Sequence, residues 1–150
     1  MGNSEKIRLV QSLLANAKEK IAELTDQADD LKESRNTESK STAGDKHAVG
    51  RAMAQTELDT IEKRIAELKE QSNLIKHLPV ESQKEVASGS LVRTSQGVYF
   101  LAIGIGKMES DGKTYFVISP AAPIGQAMLG KKKGENFQFQ NKQITIEDLS

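Results

Sequence analysis

Ile7, Val10, Leu14, Ala17, Ile21, Leu24, Ala28 and Leu31 follow one another at steps of 3, 4, 3, 4, 3, 4 and 3. That alternation keeps apolar side chains on one stripe of an α-helix. A second stripe runs through Ala54, Leu58, Ile61, Ile65, Leu68, Ser72 and Ile75, again at steps of 4 and 3. Between them, Arg35 to Gly44 is polar and carries no stripe. Each stripe needs a surface that excludes water, and the nearest candidate is the other stripe. The expectation is an antiparallel coiled-coil hairpin over residues 1–78. Each arm has about 30 residues and spans about 45 Å. Asn3 or Ser4 can cap the first helix, and Asp45, with Gly44 before it, the second. The tip, about 35–48, gathers polar and charged groups, with Ser41, Thr42, Lys46 and His47 among those available for contacts.

The grammar changes near Leu78-Pro79. Residues 1–78 hold 13 basic and 14 acidic residues with no aromatic residue and no proline, whereas 79–150 hold all six aromatics and all three prolines. A linker is expected over 79–88 and a second domain over 89–150. Ser90–Thr94, Val98–Ile103, Thr114–Ile118, Asn136–Phe139 and Gln143–Ile146 are short β-rich runs. Gln96-Gly97, Asp111-Gly112 and Asn141-Lys142 supply turns between them. Pro123 to Leu129 suits one short helix closed by Gly130. The fold class expected is therefore α+β: a helical hairpin followed by a small antiparallel β domain with one helix.

Composition excludes several functions. Lys plus Arg and Asp plus Glu are each 21, so the formal net charge is zero, unlike a strongly basic binder of free nucleic acid. No run approaches the roughly 20 apolar residues of a membrane span. Met1 to Leu13 lacks the apolar core of a secretory signal, and a cytoplasmic protein is the natural reading. With no cysteine, thiolate catalysis and thiolate metal sites are absent. His47 and His77 lie near opposite ends of one helix and cannot share a metal. Gly104 and Gly106 make a G-x-G without a third glycine at nucleotide-binding spacing; they read as a bulge or strand end. Lys131-Lys132-Lys133 reads as a solvated turn, or as a weak contact for phosphate or an acidic surface.

The segment Ile118-Ser119-Pro120-Ala121-Ala122-Pro123-Ile124-Gly125-Gln126-Ala127-Met128-Leu129-Gly130-Lys131-Lys132-Lys133-Gly134-Glu135 resembles the C-terminal domain of the bacterial Gre transcript-cleavage factors of GreA/GreB type. Gly89-Ser90-Leu91-Val92 resembles that domain's opening strand. Thr60-Ile61-Glu62-Lys63-Arg64-Ile65-Ala66-Glu67-Leu68 is similar to the returning arm of the Gre coiled coil. The resemblance implies a helical hairpin followed by an FKBP-like domain. It also implies a bacterial RNA polymerase as partner, with the globular domain at the rim of the secondary channel and the hairpin inside it. Two tip acids, as D-x-x-E, would help hold a shared Mg²⁺. The polymerase then cleaves the 3′ end of the nascent RNA, so the factor is an accessory and not itself an enzyme.

This chain differs from that pattern at the tip. Asp45 matches the first acid, as a catalytic and Mg²⁺-facing residue or as a helix cap, but Ala48 stands where the second belongs. Glu38 supplies a second carboxylate only if the loop folds back. The missing acid favours regulation of initiation or elongation over strong cleavage. At the dock, the Gre Ser-Pro aligns with Ala122-Pro123, leaving Pro123 and Ile124 as the apolar contact. Two alternatives remain from other classes. An FKBP-like prolyl isomerase or peptide-binding protein would need an aromatic pocket, for which six aromatics are few. A coiled-coil homodimer is less needed, because the two arms cover each other within one chain; a monomer is expected.

Overall fold

The computed structural model describes residues 3–39 and 44–150, with side chains over 4–34 and 50–150. The elements are α1 (Asn3–Ser39), α2 (Gly44–Lys76), β1 (Leu91–Thr94), β2 (Gly97–Leu101), β3 (Gly106–Ser110), β4 (Lys113–Ile118), α3 (Pro123–Met128), β5 (Asn136–Phe139) and β6 (Lys142–Leu149). The α+β class follows: two long helices in a hairpin, then a sheet with one short helix. The chain divides into two compact units, Ala15–Ser72 and Met1–Leu14 with Asn73–Ser150.

In the unit Ala15–Ser72, the heptad residues are the buried ones. Ala17, Ala28, Leu58 and Leu68 are buried, and Ile21, Leu24, Leu31, Ala54, Ile61 and Ile65 are half-buried. Lys32 Nζ lies 3.7 Å from Glu62 Oε1, joining the two helices at the surface. α2 begins at Gly44, one residue ahead of the expected cap Asp45.

The other unit takes in both helix bases. Its sheet has the order β3-β4-β2-β1-β6-β5. It is not wholly antiparallel, as the sequence suggested, because β2 and β4 run parallel from Val98↔Tyr115 to Leu101↔Ile118. The reason is a one-strand skip. After β2 the chain passes through 102–105 and returns as β3, one position further out. A tight turn then places β4 in the gap, antiparallel to β3 from Gly106↔Val117 to Ser110↔Lys113. Ala102 N–H donates to Ile118 O at 2.8 Å and Ile105 N–H to Val117 O at 3.2 Å, fixing the crossing. Asp111 at φ 53° and Gly112 at φ 74° form the two-residue turn that twisted strands require.

Strand alternation gives the sheet two apolar faces. Leu91, Phe100, Met108, Tyr115 and Val117 pack with Leu9, Val10, Leu13 and Ile75 of the helix bases. Val92, Leu101, Ile144 and Ile146 pack on the opposite face with Val86, Met128 and Phe137. The stretch 79–88, expected as a linker, contributes to this second core. Val86 is 2% exposed, and its N–H donates to Lys131 O at 2.8 Å while its carbonyl accepts from Gly130 N–H at 2.9 Å.

At the base of α1 the buried face departs from the seam. Ile7 is 40% exposed, whereas its neighbour Lys6 is 0% exposed. A helix against a broad sheet buries a wider face than one against a single helix, so Lys6, Leu9 and Leu13 join Val10 inside, while Leu14 of the seam is half-buried. Lys6 Nζ donates to Glu81 O at 3.0 Å. Burial pushes its pKa below the ordinary lysine value.

Candidate functional site

The loop from β4 into α3 is built around Ser119. Its Oγ accepts from Ala121 N–H at 3.1 Å, and its carbonyl accepts from Ala122 N–H at 3.0 Å. Ala122 is the N-cap, with extended backbone (φ −62°, ψ 151°) and no side-chain cap bond. Pro123 follows in the first turn, where its missing N–H costs nothing and its ring presets the helical φ. Leu129 N–H donates to Gly125 O at 3.0 Å and Lys131 N–H to Met128 O at 3.1 Å, ending the helix.

The three candidate docking residues are therefore consecutive but unequal. Pro123 is exposed, and Ala122 and Ile124 are half-buried. Ile124 packs against the core cluster that contains Met128 and Leu101. One side of Ile124 is thus committed to holding α3 on the sheet.

Gly125 and Ser119 were not singled out from the sequence. A Cβ on Gly125 would lie 2.5 Å from Ser119 O and 3.0 Å from Pro120 O, so only glycine lets α3 sit this close to the loop. The available signal was a glycine inside a short helix, against its propensity, two residues after a proline.

A second polar cluster bolts α1 to the β3–β4 turn. Tyr115 Oη donates to Glu5 Oε1 at 2.7 Å. Lys113 Nζ lies 3.7 Å from the same oxygen, and the Glu5 side chain is only 11% exposed. Arg8 Nε lies 3.8 Å from Asp111 Oδ2. Ser12 Oγ and Ser110 Oγ share a hydrogen bond of 3.1 Å. Burial, then the hydrogen bond and charge of Glu5, push the Tyr115 phenol up to about 12; Asp111 adds to this and Arg8 opposes it.

Of the tip residues, Glu38 lies on the last turn of α1 and Asp45 on the first turn of α2. The side chains of Glu38, Asp45, Lys46 and His47, and Ser41 and Thr42 altogether, lie outside the described residues. The Mg²⁺ expectation at Asp45 rests on them. Among the described residues, no group of three or more His, Asp or Glu side chains could hold a metal ion. No described helix is long and apolar enough to cross a membrane.

Residues 82–150 match the family described as transcription elongation factor, GreA/GreB, C-term. Over this stretch, just under half of the chain, it matches the GreA/GreB C-terminal domain. Both apolar faces of the sheet, the Ser119 loop and α3 fall within the matched residues or pack against them. Factors of this GreA/GreB type are accessories to transcription and not enzymes themselves. Among solved structures, the chain is similar to the crystal structure of GreA factor homolog 1 (Gfh1) of Thermus thermophilus. That likeness has 20% identity and a TM-score of 0.35, and covers 99% of this chain and 94% of the other. It is also similar to Thermus aquaticus Gfh1, at 19% identity and a TM-score of 0.30, over 95% of this chain and 92% of that one. No curated protein matches the chain.

Proposed function

We propose that this chain is a GreA/GreB-type accessory transcription factor that binds bacterial RNA polymerase and acts through its secondary channel. The observation that carries the reading is the GreA/GreB C-terminal domain at 82–150, preceded in the same chain by a two-helix hairpin. The exposed Pro123, with Ala122 and Ile124 beside it, is the apolar docking contact. The hairpin tip, with Ser41, Thr42, Lys46 and His47, enters the channel.

Within this reading, the tip determines the outcome. Asp45 with Glu38 would place two carboxylates on a Mg²⁺ shared with the polymerase, which then cleaves the 3′ end of backtracked RNA. Ala48 lacks the acid that a D-x-x-E pair requires. The chain is therefore read as a channel-occupying regulator of initiation or elongation with little cleavage activity.

The test is a purified backtracked elongation complex with Mg²⁺, comparing wild type, Asp45→Ala and Pro123→Glu. Competition against an active Gre factor, without RNA cleavage and lost in Pro123→Glu, is the expected result. Rapid cleavage that vanishes in Asp45→Ala would instead make the chain a working cleavage factor. The absence of both cleavage and competition would remove the polymerase reading.

A further inference from the structure

The triple-lysine turn after α3 takes no part in the docking loop, and its surroundings are more ordered than those of a free surface turn. Two chain segments meet there. Val86 N–H donates to Lys131 O at 2.8 Å and Gly130 N–H to Val86 O at 2.9 Å. Glu85 and Lys132 form an antiparallel bridge. The segment before Val86 is held from its other side by Gln83. Its Oε1 accepts from Ser90 Oγ at 2.5 Å, and its Nε2 donates to Ser88 O at 3.1 Å. The backbones carrying Lys84 and Lys132 are thus fixed relative to each other by hydrogen bonds, and the lysines converge because the main chain makes them.

Where they converge lies a hollow of about 420 Å³, lined by Ser82, Gln83, Lys84, Lys132, Lys133 and Leu149. Every ionisable residue on that lining is a lysine. Carboxylates reach two of them from outside it: Glu85 Oε1 lies 3.8 Å from Lys132 Nζ, and Asp148 Oδ1 lies 3.6 Å from Lys133 Nζ. Lys84 has no ion pair among the described residues. The Lys132–Glu85 pair, with side chains 61% and 59% exposed, is weak and exchanges readily for a better anion; Asp148, only 26% exposed and held by Leu149 N–H at 2.9 Å, keeps its place, and a bound phosphate shares Lys133 with it. A phosphate carries more than one negative charge and several acceptor oxygens, and three ammonium groups offer up to nine donors. A lone surface carboxylate of a peptide matches that set less well. The volume exceeds what one phosphate needs and accommodates two linked phosphates.

We propose that the hollow between residues 82–84 and 132–133 is a binding site for a multiply charged phosphate group, such as pyrophosphate or the terminal phosphates of a nucleotide. Lys84, Lys132 and Lys133 supply the charge, and Leu149 forms an apolar wall. The site is independent of the polymerase reading and does not use the α3 docking residues.

The test is an NMR titration of the full chain with sodium pyrophosphate at constant ionic strength, following the lysine side chains and the amides of 82–85 and 131–134. The expected result is saturable shifts confined to this hollow, at millimolar pyrophosphate or below. Lys84→Gln and Lys132→Gln each weaken binding at least fivefold. Lys131→Gln, off the lining, leaves it within twofold. Shifts that grow linearly, or that a matched chloride titration reproduces, would overturn the site. So would equal affinity for a polyglutamate peptide, which would show a basic patch without preference for phosphate. The amide spectrum of each variant reports whether its fold is retained, and a second pair of variants, Lys84→Arg and Lys132→Arg, must keep binding within threefold for the charge argument to stand.

Discussion

In the hairpin unit, threonine hydroxyls bond one turn back along their own helix: Thr25 to Ile21 O, Thr56 to Ala52 O, and Thr60 to Thr56 O. In the globular unit, Lys6 to Glu81, Ser12 to Ser110 and Tyr115 to Glu5 span 75, 98 and 110 residues. The hairpin buries a narrow stripe on each arm. The globular unit buries both faces of its sheet. Local contacts cost little chain entropy to form, whereas contacts this distant in sequence must first close long loops. The stability of the globular unit therefore rests on a mutually dependent core, and that of the hairpin on many small, nearly independent steps.

The largest expected effect tests that contrast directly. Phe100 is 0% exposed and Leu58 3% exposed. Phe100→Ala should cost about 3–5 kcal/mol, because a large side chain leaves a cavity between sheet and helix bases. Leu58→Ala should cost about 2 kcal/mol, near the low end for leucine, because a two-helix stripe collapses more easily around the gap. All aromatics lie at 99–139, so tyrosine fluorescence during urea unfolding reads the globular unit alone, while far-ultraviolet circular dichroism is dominated by the helices. Equal costs at the two positions would break the comparison.

Gly125→Ala comes next. Its Cβ would lie 2.5 Å from the Ser119 carbonyl, so α3 must move outward. A loss of about 1–3 kcal/mol is expected, as for other overpacked positions. If Pro123 and Ile124 dock on the polymerase as proposed, polymerase affinity should fall with it. Unchanged stability would show that the loop yields freely and that glycine is not required.

Tyr115→Phe removes a hydrogen bond to a carboxylate and should cost about 1.5–3 kcal/mol near neutral pH. Its pH dependence has a fixed sign. The folded chain keeps the phenol proton up to about 12, while an unfolded tyrosine releases it near the ordinary 10.0. Between those values the folded state binds more protons, so stability falls as pH rises. The contribution is complete below 10 and is lost through about 12. Lys6 acts in the opposite direction and at lower pH: its folded pKa lies below the ordinary 10.5, so stability rises as pH climbs towards 10.5. The gap between wild type and Tyr115→Phe should therefore close as pH climbs from 10 to 12. Phenolate absorbance of the Tyr115 ring follows the same window. A gap that stays constant would remove Glu5 as its partner.

The same contrast explains what the sequence reveals. The heptads name the buried hairpin residues because a helix stripe is a local, periodic property. The Asp111-Gly112 turn and the Pro-to-Gly limits of α3 are legible because their residues have particular backbone needs. β3 is not legible: in Gly106-Lys107-Met108-Glu109-Ser110 only Met108 is buried, and an edge strand needs no more than one inward side chain. Nor is the burial of Lys6 or the exposure of Ile7, since both depend on a sheet more than seventy residues away. The 79–88 stretch reads as polar linker by composition, yet one valine ties it to the core. At the start of α3, Pro123 is recognisable from its motif, but the approach of Gly125 to Ser119 exists only after the chain has folded.

The smallest expected effect lies on the hairpin surface. Lys32 and Glu62 meet at 3.7 Å with side chains 47% and 51% exposed. Solvent and salt screen such a pair, and holding two long side chains together costs entropy. Lys32→Ala should therefore change hairpin stability by less than about 0.5 kcal/mol, and the reverse partner change, Glu62→Ala, by a similar amount. A double-mutant cycle by thermal unfolding, at low and high salt, measures the coupling. If the pair were worth as much as the buried Tyr115–Glu5 bond, surface charges and not the apolar stripe would hold the arms together, and the hairpin would lose stability steeply as salt is added.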